Sequence, residues 1–183
     1  MSIAFLDGDY MPIEQAKISP LDRGFLFGDG IYEVVPSYAG KMVGFAPHIA
    51  RMKSGLEAIG IQLNWSTEDW AELCNRLIAE NGAGNLGIYL HVSRGTDTKR
   101  FHAFPENIAP TVFAFSFEIA PAPIADKSSV KARKASTARD LRWERCQIKS
   151  TALLGNVLHF QHGYEQGSDE TLLFNADNQL TEA

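Results

Sequence analysis

Two prolines within four residues, at Ala120-Pro121-Ala122-Pro123, constrain how this chain can fold more than any other stretch. Neither has an N–H to give to a sheet or a helix, so the stretch reads as a stiff linker. It divides the 183 residues into a larger part, 1–119, a linker, 120–126, and a smaller part, 127–183. With 45% apolar residues the chain has the material for two small domains. The smaller part buries a modest share of its surface and is marginal alone. It also stops inside an apparent strand, at Leu180-Thr181-Glu182-Ala183, with no cap, turn or polar tail. The expectation is a second domain that is incomplete as given, or one whose partner surface lies elsewhere.

Periodicity fills in the larger part. Ile3, Phe5 and Leu6 lead into Asp7-Gly8, a strong hairpin-turn pair, and then to Tyr10 and Ile13. Asp22 to Tyr38 carries Gly24, Gly28 and Gly30 before Ile31, Tyr32, Val34 and Val35, which reads as a tight turn feeding a strand. Pro47 suits the first turn of a helix and Gly60 its end, with Ile49, Met52, Leu56 and Ile59 on one face. A second helix starts near Ser66, with Asp69 three residues on. Trp70, Leu73, Leu77 and Ile78 form its stripe, and Gly82 closes it. Along 86–93, Leu86, Ile88, Leu90 and Val92 share one strand face, and Gly87, Tyr89, His91 and Ser93 the other. Residues 111–119 form another strand.

Beyond the linker, Ser129 to Thr137 has strand character, and a short strand ends near Lys149. Ser150 or Thr151 can cap the helix that follows, whose Leu154, Val157, Leu158 and Gln161 share one side, and Gly167 ends it. Thr171–Phe174 and Gln179–Ala183 read as strands joined at Ala176-Asp177-Asn178.

Several function classes are excluded early. The net charge is -5 and no basic stretch collects enough Lys and Arg to neutralise a phosphate backbone, so no nucleic-acid partner is expected. No apolar run approaches the roughly 20 residues of a membrane helix, and no membrane partner is expected. The start, with Asp7 and Asp9 and no basic n-region, does not read as a signal peptide. Cys74 and Cys146 lie far apart and match no zinc or disulfide pattern, which reads as two reduced thiols of a cytoplasmic protein. His159 and His162 are three apart on a helix, yet no acidic third ligand is spaced to join them, so no metal is expected. Gly28-Asp29-Gly30 lacks the third glycine and the strand-then-helix context of a nucleotide loop and reads as turn chemistry.

The chemistry-bearing candidates are few. A lysine at a strand-to-helix junction, as Lys149 is read here, can be held near other groups and partly desolvated, which lowers its pKa toward that of an amine nucleophile. Spacing alone favours a surface lysine. It also favours a solvated basic loop for Lys99 and Arg100. Tyr89 and His91 line a pocket or meet solvent, and the pattern does not choose between the two.

A resemblance adds to this. Arg142-Trp143 through Cys146-Gln147-Ile148-Lys149-Ser150, followed by Leu153-Leu154-Gly155-Asn156-Val157-Leu158, resembles the signature of the class IV, or fold-type IV, aminotransferases. Asp22-Arg23-Gly24-Phe25-Leu26-Phe27-Gly28-Asp29-Gly30-Ile31-Tyr32-Glu33 resembles the family's N-terminal motif. His48-Ile49-Ala50-Arg51-Met52 resembles the segment supplying a phosphate-binding arginine, and Leu180-Thr181-Glu182-Ala183 the start of the motif carrying a glutamate under a pyridine nitrogen. The four matches occur in family order along the whole chain.

The resemblance implies two α/β (α+β) domains, the second incomplete, with pyridoxal 5'-phosphate in the cleft between them. Lys149 would hold the cofactor as an imine and later carry the proton at the substrate Cα. Glu182 would face the pyridine nitrogen and keep it protonated, so that the ring can act as an electron sink. Arg51 would bind the phosphate with its planar fork. Arg100 and His102 resemble the Arg-x-His pair that, with a tyrosine at the position of Tyr32, traps the α-carboxylate in D-amino acid transaminases. Within the family this favours transamination between a D-amino acid, D-alanine for example, and a 2-oxo acid such as 2-oxoglutarate. A branched-chain aminotransferase or aminodeoxychorismate lyase is the nearest rival, and a non-catalytic fragment the rival of another class. The family is dimeric, so a homodimer is implied.

Overall fold

The computed structural model describes residues 2–182. The chain divides into two compact units, Met1–Ala122 with Gln147–Thr151, and Pro123–Cys146 with Ala152–Ala183. Both units mix helices with strands, in keeping with the α/β (α+β) class that the resemblance implies.

The first unit is built on one antiparallel sheet. Its strands are β1 (Ile3–Leu6), β2 (Asp9–Pro12), β3 (Gly30–Tyr38), β4 (Lys41–Met42), β5 (Asn85–Ser93) and β6 (Thr111–Glu118), in the order β2-β1-β6-β5-β3-β4. The β1–β2 hairpin closes on Asp7-Gly8, with φ of 50° and 109°. Positive φ at both turn residues gives the twist that two paired strands need, and Asp-Gly tolerates it. The short helix α1 (Arg23–Phe27) lies in the turn ahead of β3.

Period-2 alternation sorts the sheet into two faces. One face carries Ile31, Val35, Ile88, Leu90, Val92, Val112 and Ala114, each at most 4% exposed. Helices α2 (Phe45–Ala58) and α3 (Thr67–Asn81) supply much of the rest of this core. Ile49, Met52 and Leu56 come from α2, and Trp70, Leu73, Leu77 and Ile78 from α3. Each such side chain contributes about 1.5–3 kcal/mol by leaving water. Ser66 and Asp69 form the expected capping box of α3: Asp69 N donates to Ser66 Oγ at 3.0 Å and Ser66 N to Asp69 Oδ2 at 2.7 Å. The opposite face is a row of rings. Tyr32 stacks on Tyr89 at 5.8 Å, Tyr89 meets Phe115 at 5.2 Å, and Phe115 meets Phe113 and Phe117 at 5.6 and 6.0 Å.

The second unit holds β7 (Ala135–Arg139), α4 (Leu154–Glu165), β8 (Glu170–Phe174) and β9 (Leu180–Glu182). β7 and β8 pair in parallel, which requires a long connection, and α4 lies in it. β9 returns antiparallel on β8. Ala183, the end of the expected last strand, lies outside the described residues. The apolar side of α4 is exposed, with Leu154, Val157 and Leu158 each at least 58% accessible. Among the described residues no helix is long and apolar enough to cross a membrane.

Three local expectations are corrected. The strand read over Ser129–Thr137 begins only at Ala135, because Asp169 captures the backbone of Lys134 from both sides. Lys134 N donates to its carboxylate at 2.9 Å, and Asp169 N donates to Lys134 O at 2.6 Å. The short strand ending near Lys149 is a single bridge between Ile31 and Ser150. Nor does Ser150 or Thr151 cap α4, which starts at Leu154 after Leu153. The Thr151 hydroxyl donates instead to Gly28 O at 3.0 Å.

Truncating Leu77, which is fully buried in α3, removes its packing against β-sheet and helix neighbours. Leu77→Ala should cost about 2–5 kcal/mol of unfolding free energy. Urea denaturation measures it, and a loss under about 1 kcal/mol would contradict the packing described.

Candidate active site

The turn that starts β3 is organised by buried charge. Asp22, 2% exposed, caps α1 by accepting from Gly24 N at 2.7 Å and takes the Thr111 hydroxyl at 2.7 Å on its other oxygen. Asp29 lies between two guanidiniums. Arg23 Nε donates to its Oδ2 at 2.8 Å, while Arg94 Nε and Nη2 donate to Oδ2 and Oδ1 at 2.8 and 2.9 Å. Burial raises the pKa of Asp29, but hydrogen bonds and charge from the two arginines outweigh it and hold the carboxyl below its ordinary range. Arg94 also donates to Ile59 O and Gly60 O at 2.7 and 3.2 Å. Gly30 lets β3 enter the sheet against β5: a Cβ there would lie 2.7 Å from Val92 O.

This turn receives the segment that carries Lys149. Tyr32 N donates to Lys149 O at 3.1 Å and Thr151 N to Gly30 O at 3.0 Å, and Ile148 enters the core at 6% exposure. The backbone on both sides of Lys149 is thus fixed while its side chain is half-buried. The Lys149 ammonium nitrogen lies 4.1 Å from the centroid of the Tyr32 ring. Beyond Tyr32, the Tyr89 hydroxyl is 3.1 Å from His91 Nδ1. Burial pushes the His91 imidazole down and the Tyr89 hydroxyl up.

The next inward residue on β3 is Glu33, with no exposed surface. Arg51 grips it bidentately, Nε to Oε1 at 2.5 Å and Nη2 to Oε2 at 2.7 Å, and His48 Nδ1 lies 2.8 Å from Oε2. His48 and Arg51 reach it from one face of α2. The Arg51 side chain is nevertheless 51% exposed, so its far edge is open. Burial raises the Glu33 pKa, and hydrogen bonds from Arg51 and His48, with their charges, outweigh it and lower it from the ordinary 4.5.

Arg100 and His102 stand on an exposed loop, 98–104, on either side of Phe101. Both approach Phe27 of α1: the Arg100 guanidinium is 5.1 Å and the His102 ring 5.3 Å from its centroid. In the second unit, Glu182 accepts from Arg142 Nη1 at 2.7 Å and is half-exposed. Arg142 is also held by Asp140, through Nε at 3.0 Å and Nη2 at 2.9 Å, and the Thr181 hydroxyl donates to Asp140 at 2.6 Å. The Arg142 hydrogen bonds hold the Asp140 carboxyl well below the carboxylate range.

The first unit therefore brings Lys149, Tyr32 and Arg51 to the start of β3, and sets Arg100 and His102 around Phe27. Glu33, Asp29, Arg23, Arg94, Asp140 and Arg142 received no role from sequence. Glu33 and Asp29 left a signal: a carboxylate at an inward position between Ile31 and Val35, and one between two glycines.

The lowered Glu33 value has a consequence for acid stability. A carboxylate whose folded pKa lies below the unfolded one contributes stability that is complete above the unfolded value and is lost as pH falls through the folded value. Glu33→Gln should cost stability near neutral pH and progressively less below the ordinary 4.5. Denaturation midpoints of both proteins between about pH 7 and pH 3 test this, and a pH-independent difference would contradict it.

Comparison with known proteins adds the family. Residues 30–183 match the model of amino-transferase class IV. The chain is 37% identical over 181 residues to the D-alanine aminotransferase of Staphylococcus epidermidis, covering 97% of this chain and 62% of that protein. It is 36% identical over 169 residues to the D-alanine aminotransferase of Listeria monocytogenes, covering 92% of this chain and 58% of that one. It thus spans about three fifths of the length of these curated relatives. Its fold is similar to that of the branched-chain aminotransferase from the thermophilic archaeon Thermoproteus uzoniensis, solved with norvaline. The TM-score is 0.81 at 19% identity, covering 99% of this chain and 62% of that one. The family model over most of the chain and the identity to these relatives agree: this chain belongs to the class IV aminotransferases.

Proposed function

We propose that this chain carries the site of a pyridoxal-phosphate-dependent D-amino acid transaminase. The observation that carries the reading is Lys149, pinned by its backbone to the start of β3 with its amine 4.1 Å from the Tyr32 ring centroid.

The residues present fit the cofactor's chemistry. A primary amine, half-buried, suits an aldehyde. A guanidinium oriented by Glu33, with half its surface open, suits a phosphate. Glu182, whose carboxylate is oriented by Arg142, suits a protonated ring nitrogen. When bound, the cofactor supplies an electron sink for the bond broken at the substrate Cα. Lys149 would hold it and then carry the proton between that Cα and the cofactor's C4′ carbon. Arg51 would hold the phosphate, and Glu182 would keep the ring nitrogen charged.

Arg100, His102 and Tyr32 would bind the α-carboxylate. A charged fork plus neutral donors fits a carboxylate better than either alone. D-alanine is the donor this arrangement and the relatives' names favour, and 2-oxoglutarate the kind of acceptor. We read the protein as a cytoplasmic homodimer with domains 1–119 and 127–183 joined by 120–126, the segment Gln147–Thr151 being packed in the first compact unit. A branched-chain aminotransferase or a lyase of the same fold would not need the Arg-x-His pair.

An absorbance spectrum of the protein with pyridoxal phosphate tests the reading. A visible band should form, vanish in Lys149→Ala, and bleach with D-alanine but not L-alanine. A folded protein with no band, or a band unaffected by Lys149→Ala, would contradict it. Arg51→Ala should weaken cofactor affinity by about ten- to a hundredfold, the equivalent of one lost charge-assisted pair. Fluorescence titration measures it, and unchanged affinity would remove Arg51 from the phosphate site.

A further inference from the structure

The geometry points to Arg23 as a positioning residue for substrate selection, holding the loop that presents Arg100 and His102. The proposal rests on the reading that these two bind the substrate carboxylate. The Arg23 side chain is 4% exposed, and all three of its nitrogens donate hydrogen bonds. Nε donates to Asp29 Oδ2 at 2.8 Å. Nη1 donates to Phe101 O at 2.6 Å and reaches Ala103 O at 3.4 Å, and Nη2 donates to His102 O at 3.2 Å. One guanidinium thus captures three consecutive carbonyls of a loop whose residues 98–104 are all exposed.

The guanidinium cannot drift, because Asp29 is held from its other side by Arg94, and Arg94 is held by Ile59 O and Gly60 O. A planar fork with five donors can span these acceptors at once, while an ammonium on a flexible stem cannot. Phe27 completes the device. The Arg23 and Arg100 guanidiniums lie 4.8 and 5.1 Å from its ring centroid, and the His102 ring 5.3 Å. The ring attracts both cations and keeps them apart. Arg23 therefore fixes the backbone under Arg100 and His102, and Phe27 fixes where their side chains stand.

The test uses the full-length holoenzyme with D-alanine as donor and propionate as a carboxylate-only competitor. Arg23→Lys keeps the charge and loses the fork. It should raise both the KM for D-alanine and the inhibition constant of propionate by about tenfold. The kcat and the cofactor's visible band should stay close to those of the parent, which a general loss of folding would not produce. Arg100→Ala should raise the same two constants at least as much. If Arg100→Ala raises them and Arg23→Lys does not, the positioning role is overturned while the carboxylate reading stands. If Arg100→Ala leaves both unchanged, the carboxylate reading falls and the proposal with it. Should Arg23→Lys fail to fold, Phe27→Leu replaces it. The expected rise in both constants is the same, and unchanged constants overturn the proposal.

Discussion

The carboxylate of Asp29, shared between the guanidiniums of Arg23 and Arg94, is the interaction on which the first unit's functional end depends. Three charges this far from water are tolerable only when paired in good geometry, and removing one would leave an uncompensated charge in place. The turn 22–30 is therefore held to a single conformation. Because it is, the carbonyls of Gly28 and Gly30 stand where Thr151 can reach them, and the backbone of Lys149 is clamped against Tyr32. The same arginines extend outward, Arg23 to the loop at 101–103 and Arg94 to the end of α2. Three segments remote in sequence are thus indexed to one carboxylate.

The two faces of the sheet divide the labour. The core face is apolar except where Glu33, Ser37 and Ser116 sit, and Glu33 is satisfied by groups from α2. That contact orients Arg51 while leaving its outer edge accessible, so a buried residue with no exposed surface shapes a half-exposed one. The ring-lined face carries Tyr32, Tyr89 and His91, whose stacking and hydrogen bonding limit the freedom of the Tyr32 ring beside Lys149. In the second unit Asp140 plays a comparable part for Glu182, acting through Arg142.

Much of the first unit was legible because its signals are local. The Asp7-Gly8 hairpin, the Ser66–Asp69 capping box and the alternation along 86–93 each declare an element within a few residues. The second unit was harder, since its local signals compete with remote partners. Ser150 and Thr151 look like helix caps, but Thr151 is claimed by Gly28, more than a hundred residues away. The strand read from Ser129 yields to Asp169, which captures Lys134. The candidate lysine and arginines were proposed through motifs. The residues that orient them, Asp29, Glu33, Arg23 and Asp140, were not, because a charge partner across the fold leaves no spacing in the sequence to read.

The central claim is that Lys149, and no other lysine, holds the cofactor. Borohydride reduction of the protein with pyridoxal phosphate, followed by digestion and mass spectrometry, tests it directly. The account predicts one phosphopyridoxyl group on the peptide containing Lys149, formed at cofactor concentrations close to that of the protein. Labelling spread over other lysines, with Lys149 unmodified, would contradict it.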